Sequence, residues 1–192
     1  MQHYQDFLGE IIISEDVLKE KIKELGETLS RDYAGQDLLL VCILRGGIYF
    51  LIDLSRNISV PHNIDFMAVT SYGVGARESR GRARITLDLT TDITGRNVLL
   101  VEDIVDSGHT LAAVVELLRS RHPLSLRTCI LLDKHSRREV HVPVDYLGFQ
   151  IADKFVFGYG LDMDEYYRNL PFIGVVDLIK YVPPEPPYIY KV

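Results

Sequence analysis

Apolar residues fall into short runs along the chain, some continuous and some spaced for a helix. Within residues 14–33, Leu18, Ile22, Leu25 and Leu29 form one helical stripe. Ser14 stands before it as a cap, and Glu15 and Asp16 suit the positive end of a helix. LLLVCIL (38–44) is unbroken, as in a strand buried on both faces, and stops at Arg45-Gly46-Gly47. IYFLIDLSR (48–56) reads as a helix packed on a sheet, and IDFMAV (64–69) as a further strand. ARITLDL (83–89) alternates apolar with polar, the pattern of a half-buried strand. A fourth apolar run, Val98 to Val101, ends in acids, and TLAAVVELLRSR (110–121) continues as a helix. TCILLD (128–133), VDYLGFQI (144–151) and FIGVVDLI (172–179) complete the strands, with no internal repeat.

Strands alternating with helices predict an α/β fold, an open and mostly parallel sheet flanked by helices. Ligands of such sheets bind beyond the carboxyl ends of the strands. Two strand ends here have unusual composition, LLLVCIL running into RGG and VLLVED running into IVDSGHT. SYGVGARESRGR (71–82) has three glycines and no apolar periodicity, so it reads as a long functional loop.

Composition narrows the class. A chain of 192 residues, 47% hydrophobic and 25% charged, is expected to form one domain with a real core. The net charge of −6 argues against nucleic acid as a partner. The longest apolar run, LLLVCIL, falls far short of the ~20 residues that span a bilayer, so no membrane partner is expected. MQHYQDFLGE carries neither the positive nor the apolar region of a secretion signal, which makes the cytoplasm the expected compartment. Cys42 and Cys129, inside apolar runs, are expected as buried reduced thiols.

The stretch VLLVEDIVDSGHTL (98–111) carries the chemistry. A strand, a loop of small residues and a helix present backbone N–H groups to phosphate. Ser107 and Thr110 add hydroxyls, and Gly108 permits close approach. The stretch has neither G-x-x-x-x-G-K-[ST] nor G-x-G-x-x-G. Phosphate beside three acids points to a sugar, whose hydroxyls donate to carboxylates, or to a metal. A ribose bearing a phosphate satisfies both halves. One aspartate alone would be read as the cap of a turn; E-D-x-x-D-[ST]-G-x-T after a buried strand is far more specific.

That stretch resembles the phosphoribosyl-diphosphate binding motif of type I phosphoribosyltransferases, and the wider chain resembles their hypoxanthine (hypoxanthine-guanine) branch. LRGG (44–47) is similar to the pyrophosphate loop, SYG (71–73) to the start of the mobile catalytic loop, and DKFVFGYGLDMDEYYRNLP (153–171) to the purine-binding hood and metal-binding segment. The resemblance implies one phosphoribosyltransferase domain over residues 1–192, with a small hood over the carboxyl ends of the strands. The N-terminal and roughly 150–192 segments would form that hood. It implies Mg²⁺-dependent displacement of pyrophosphate from phosphoribosyl diphosphate by a 6-oxopurine in purine salvage, in a homodimer or homotetramer.

Residue by residue, it places Glu102 and Asp103 on the ribose hydroxyls and, with Asp162, on metal. Asp106 is the general base at the purine ring, and Asp106, Ser107, Gly108, His109 and Thr110 cradle the 5′-phosphate. Arg45, Gly46 and Arg168 meet pyrophosphate, with a cis peptide before Arg45; Ser71 and Tyr72 complete the catalytic set. Lys134 donates to the 6-oxo group, Phe155 stacks on the ring, and Ile104, Val156 and Asp162 line the base. Two positions depart from the family: His109, where relatives vary, and Phe157, bulkier than the usual aliphatic residue and expected to change the pocket's shape. The tail VPPEPPYIYKV (182–192) is extended and proline-rich.

Two rival readings stand beside this one. A phosphoribosyltransferase-like regulator that binds RNA or DNA would use Arg77, Arg80, Arg82 and Arg84, but net charge and the intact Asp106 oppose it. The other is an enzyme of the same fold acting on xanthine or a pyrimidine; Lys134 and the Phe155 segment favour 6-oxopurines, and the choice between hypoxanthine and guanine turns on backbone carbonyls near Val156 and Asp162 that sequence does not position.

Overall fold

Burial follows the apolar pattern closely enough to explain the architecture. The structure, a computed structural model, describes residues 2–71 and 83–184. In chain order the elements are α1 (Tyr4–Phe7), β1 (Leu8–Ile13), α2 (Glu15–Asp32), β2 (Leu38–Leu44), α3 (Ile48–Asn57), β3 (His62–Ser71) and β4 (Ala83–Leu87). There follow β5 (Asn97–Val105), α4 (His109–Arg119), β6 (Ser125–Asp133), a 3₁₀ turn (His135–Arg137), β7 (Tyr146–Gln150), β8 (Val156–Phe157) and β9 (Ile173–Val176).

Six strands form the large sheet in the order β4-β3-β2-β5-β6-β7, parallel except for the edge strand β4. The central strand β2 shows why its sequence is apolar throughout. Leu38, Leu40 and Cys42 pack with α2 and α3, among Leu18, Ile22, Phe50 and Leu54. Leu39, Val41 and Ile43 pack on the other face with Leu111, Val114 and Leu118 of α4. The period of two thus feeds two cores at once. Ser14 caps α2, its hydroxyl accepting from Val17 N–H at 3.4 Å. Both cysteines are free and buried.

The chain runs outward from β2 through β3 to β4, then outward on the other side from β5 through β6 to β7. The reversal falls between β2 and β5, the crevice where open α/β sheets bind ligands. Across it, the loops after β2, β5 and β6 lie side by side.

A second, three-stranded antiparallel sheet, β1-β9-β8, joins the two ends of the chain. Its core is Phe7, Phe157, Met163, Leu170 and Val176. Four features depart from the sequence expectation or lie outside it. The 172–179 run shortens to β9 and belongs to this small sheet, not the large one. β1 and β8 carry no alternation of their own that marks them. Phe157, expected to reshape a pocket, is fully buried with its ring 5.3 Å from that of Phe7. A fourth concerns β5, which runs past Glu102 and Asp103 to Val105 because Ile104 and Val105 still pair with β6.

Candidate active site

The loop after β5 turns into α4 through Gly108, which has φ of 88° and acts as the helix N-cap without a side-chain capping bond. A left-handed residue there favours glycine. The first-turn N–H groups therefore face outward without a side-chain cap, as at an anion site. Ser107 is tied down from outside, its carbonyl accepting from Glu139 N–H (3.0 Å) and Val140 N–H (3.3 Å). Ser107 and Thr110 flank the turn. The His109 imidazole Nε2 lies 2.9 Å from Glu139 Oε2, so its nearest partner is a carboxylate.

Glu102 and Asp103 are neighbours in β5 where its alternation slips, since Val101 and Ile104 pack with the same core. Asp103 is 8% exposed and faces the loop after β2: a Cβ on Gly46 would stand 1.6 Å from Asp103 Oδ2. Only glycine permits that approach. Burial pushes the Asp103 carboxyl up to about 6 against the opposing bond from Ile104 N–H (2.8 Å) and the field of Arg168. Burial also pushes Glu102 well up, with Asp103 adding repulsion, and Glu102 Oε2 is buried with no hydrogen-bond partner.

The Leu44–Arg45 peptide is cis. Arg45 Nη2 donates to Glu165 Oε1 at 2.8 Å. Arg168 Nη2 pairs with Asp162 Oδ1 (2.8 Å) and Glu165 Oε2 (3.1 Å), and its Nη1 donates to Gly160 O at 2.7 Å. Asp162 Oδ2 accepts from Glu165 N–H at 2.8 Å. Asp164, Glu165 and Tyr167 hold left-handed backbone at φ 51°, 72° and 69°. Each costs roughly 1–3 kcal/mol for a residue with a side chain, a pattern that gathers at ligand sites.

Asp106 receives two cations. Lys134 Nζ donates to Oδ2 at 3.1 Å and Arg137 Nε to Oδ1 at 3.0 Å. Burial pushes the Asp106 carboxyl up, but these bonds outweigh it and hold it below the usual range. Lys134 is 8% exposed and anchored by its own N–H to Val105 O. Phe155 is half exposed, Val156 is buried in β8, and Ile104 packs at the edge of the first core. Ser71 ends β3. Tyr72 and most of the 71–82 loop lie outside the described residues, as does the tail from 185.

A sequence profile for the phosphoribosyl transferase domain matches residues 13–164. The chain belongs to the phosphoribosyltransferase family. It is 49% identical over 172 residues to the hypoxanthine phosphoribosyltransferase of Escherichia coli (strain K12), covering 88% of this chain and 96% of that relative. To the hypoxanthine-guanine phosphoribosyltransferase of Mycobacterium tuberculosis it is 46% identical over 180 residues, or 91% of this chain and 89% of the relative. A crystal structure of a hypoxanthine phosphoribosyltransferase from Staphylococcus aureus matches with TM-score 0.89 at 42% identity, covering 94% of this chain and 97% of that one. This phosphoribosyltransferase therefore falls in the hypoxanthine (hypoxanthine-guanine) branch, with the type I fold.

Three residues that contact the expected site residues or close the turn beside them escaped the sequence reading. Glu165 bridges Arg45 and Arg168. Arg137 holds Asp106. Arg138 forms an ion pair at 2.9 Å with the buried Asp133, closing the turn that begins at Lys134. The cationic run KHSRR after a strand was the available signal for the last two. Glu165 was hidden in an acidic stretch that also suits a solvated face.

Proposed function

We propose that the protein transfers the phosphoribosyl group of phosphoribosyl diphosphate to hypoxanthine, and to guanine, yielding the purine nucleoside monophosphate and pyrophosphate. The observation that carries this reading is the Lys134–Asp106 pair at 3.1 Å. An obligate donor beside an ionised acceptor matches the edge of a 6-oxopurine, with its oxygen acceptor next to a ring N–H. Without a base the two side chains satisfy each other; with one, each finds its complement on the ring.

In the reaction the bond from ribose C1 to pyrophosphate breaks, pyrophosphate leaves with the electron pair, and a C–N bond forms to the purine. Asp106 takes the proton that the purine ring loses. The Asp106–Thr110 turn binds the 5′-phosphate, and Asp103 and Glu102 orient the ribose. Arg45 and Arg168 exchange Glu165 for the diphosphate oxygens, with Gly46 letting the backbone come close. Phe155 covers one face of the base, and Ile104 and Val156 shape its walls.

Mg²⁺ fits this donor set. Glu102 Oε2 has no partner, and Glu102 and Asp103 carry raised carboxyls that a divalent cation would hold in the charged form. Glu102, Asp103 and Asp162 are the residues that would hold it. Among the described residues no three His, Cys, Asp or Glu side chains are grouped to hold a metal ion. When bound, Mg²⁺ neutralises charge on the leaving group.

The same proposal takes the whole chain as one domain, with β1, β8 and β9 as its hood, acting in the cytoplasm as a homodimer or homotetramer. Among the described residues no helix is long and apolar enough to cross a membrane. Of the four arginines that favour a nucleic-acid regulator, three lie outside the described residues.

The test is turnover with phosphoribosyl diphosphate, Mg²⁺ and a panel of bases. Hypoxanthine and guanine should react. Adenine, which sets an amine against Lys134, should be slower by ~10⁴. Lys134→Ala should lose the 6-oxopurines, and Phe155→Leu should weaken every accepted base alike. Adenine turnover equal to that of hypoxanthine would overturn the assignment.

A further inference from the structure

Arg137 has no part in the transfer as derived above, yet it ties together two parts of the site. From the 3₁₀ turn its Nε reaches Asp106 Oδ1 at 3.0 Å, and its Nη1 lies 3.5 Å from Asp153 Oδ2. Asp153 stands two residues before Phe155 in the strap that leads to β8. Lys134 occupies the other Asp106 oxygen. With a separate cation on each oxygen, the carboxylate cannot rotate without losing both bonds. When a purine draws Lys134 to its 6-oxo group, Oδ2 is released toward the ring while Arg137 keeps Oδ1.

We propose that Arg137 is a positioning residue for phosphoribosyl transfer, holding Asp106 and Asp153 at once so that Oδ2 points at the purine and the Phe155 strap is fixed to the phosphate loop. The inference rests on Asp106 being the proton acceptor. The charged groups around that acid are Lys134 at the end of β6, Arg137 on the turn and Asp153 on the strap. Beyond the turn, Glu139 is paired with His109 at the start of α4. Arg137 is one of the two bonds that keep the Asp106 carboxyl low against its burial. Removing it raises that carboxyl, and an acceptor must be ionised, so activity is lost at a higher pH on the acid side.

Arg137 is half exposed, and far-UV circular dichroism of each variant checks that the fold is kept. The experiment measures pH profiles of kcat and kcat/KM for hypoxanthine in the parent, Arg137→Gln, Arg137→Lys and Asp106→Asn proteins. The Asp106 carboxyl is also titrated by NMR without ligands. Arg137→Gln is expected to lower kcat roughly 10-fold, leave the KM for phosphoribosyl diphosphate unchanged, and move both the acid limb and the NMR titration upward. Arg137→Lys keeps a cation without the fork, so it restores the acid limb but not kcat. An Arg137→Gln enzyme with the parent's kcat and acid limb, beside an inactive Asp106→Asn, overturns this proposal alone. Near-normal turnover in Asp106→Asn overturns the proton-acceptor reading and this proposal with it.

Discussion

Asp65 in β3 and Asp103 in β5 are both scarcely exposed, at 6% and 8%, but Asp103 lies deeper among protein atoms and their carboxyls move in opposite directions. Burial pushes Asp65 up, but N–H groups of Phe66 (2.8 Å), Thr90 (2.9 Å) and Thr91 (2.8 Å) more than reverse it. The Thr90 hydroxyl adds a bond to Oδ2 at 3.2 Å. Asp65 thereby pins the 88–94 turn to the sheet. Asp103 accepts from the Ile104 N–H, and beside it Glu102 keeps an oxygen with no partner. Folding completes the first carboxylate. The second pair keeps a buried oxygen that the fold does not pair, which is the physical difference between Asp65 and the acids of the proposed site.

Three substitutions sharpen or break that contrast. Gly46→Ala should have the largest effect, because its methyl enters the space that Asp103 Oδ2 holds. Displacing a ligand-facing acid by about an ångström is expected to lower kcat/KM for phosphoribosyl diphosphate roughly 100-fold, with the far-UV circular dichroism unchanged. Activity near the parent's would show that Asp103 need not face this loop.

Asp65→Asn should act on stability instead. Losing charge-assisted bonds from three N–H groups costs about 2–3 kcal/mol, or roughly 5–10 °C in Tm for a chain of this size. Turnover at 25 °C should not change. The folded carboxyl lies below its unfolded value of about 4, so its contribution is present above pH ~4 and fades as pH falls through the lower folded value. The variant should accordingly show a flatter acid side in Tm against pH.

Asp103→Asn should show the smallest effect and the opposite sign. A carboxyl raised to about 6 in the fold stabilises below its unfolded value, and that contribution is lost as pH rises through about 6. At pH 8 the amide removes the cost of burying the charge and should raise Tm by a few degrees, about 1–2 kcal/mol. The same variant should lose the stabilisation that Mg²⁺ with pyrophosphate gives the parent in thermal melts. A lower Tm at pH 8 without ligand would erase the distinction from Asp65.

What the sequence revealed divides along similar lines. β2 and α2 were legible because their partners lie on both sides of an unbroken run or along one stripe, so Leu38–Leu44 and Leu18–Leu29 announce their own burial. The turn into α4 was legible because Asp106 to Thr110 is contiguous. β1 and β8 were not: β8 is two residues long, and Leu8 and Ile11 pair with Val176 and Gly174, which no local pattern encodes. Arg137 and Glu165 were missed for the same reason, since each is defined by a charge from another part of the chain. Sequence periodicity reports what a segment does with the core; it is silent on which distant ion a side chain will meet.

A ribosome finishes β1 long before β9 exists, although Leu8–Ile13 has its pairing partner in Ile173–Val176. The large sheet and its three loops can emerge and fold while β1 waits, with Ile11 still half exposed even after pairing. The loops after β2, β5 and β6 are thus assembled earlier in synthesis than the sheet that bears Val156 and the Arg168 segment that follows it. A nascent polypeptide halted after β7 already holds Ile104, Asp106 and Lys134 of the proposed site, while Phe155, Val156 and Arg168 have yet to emerge.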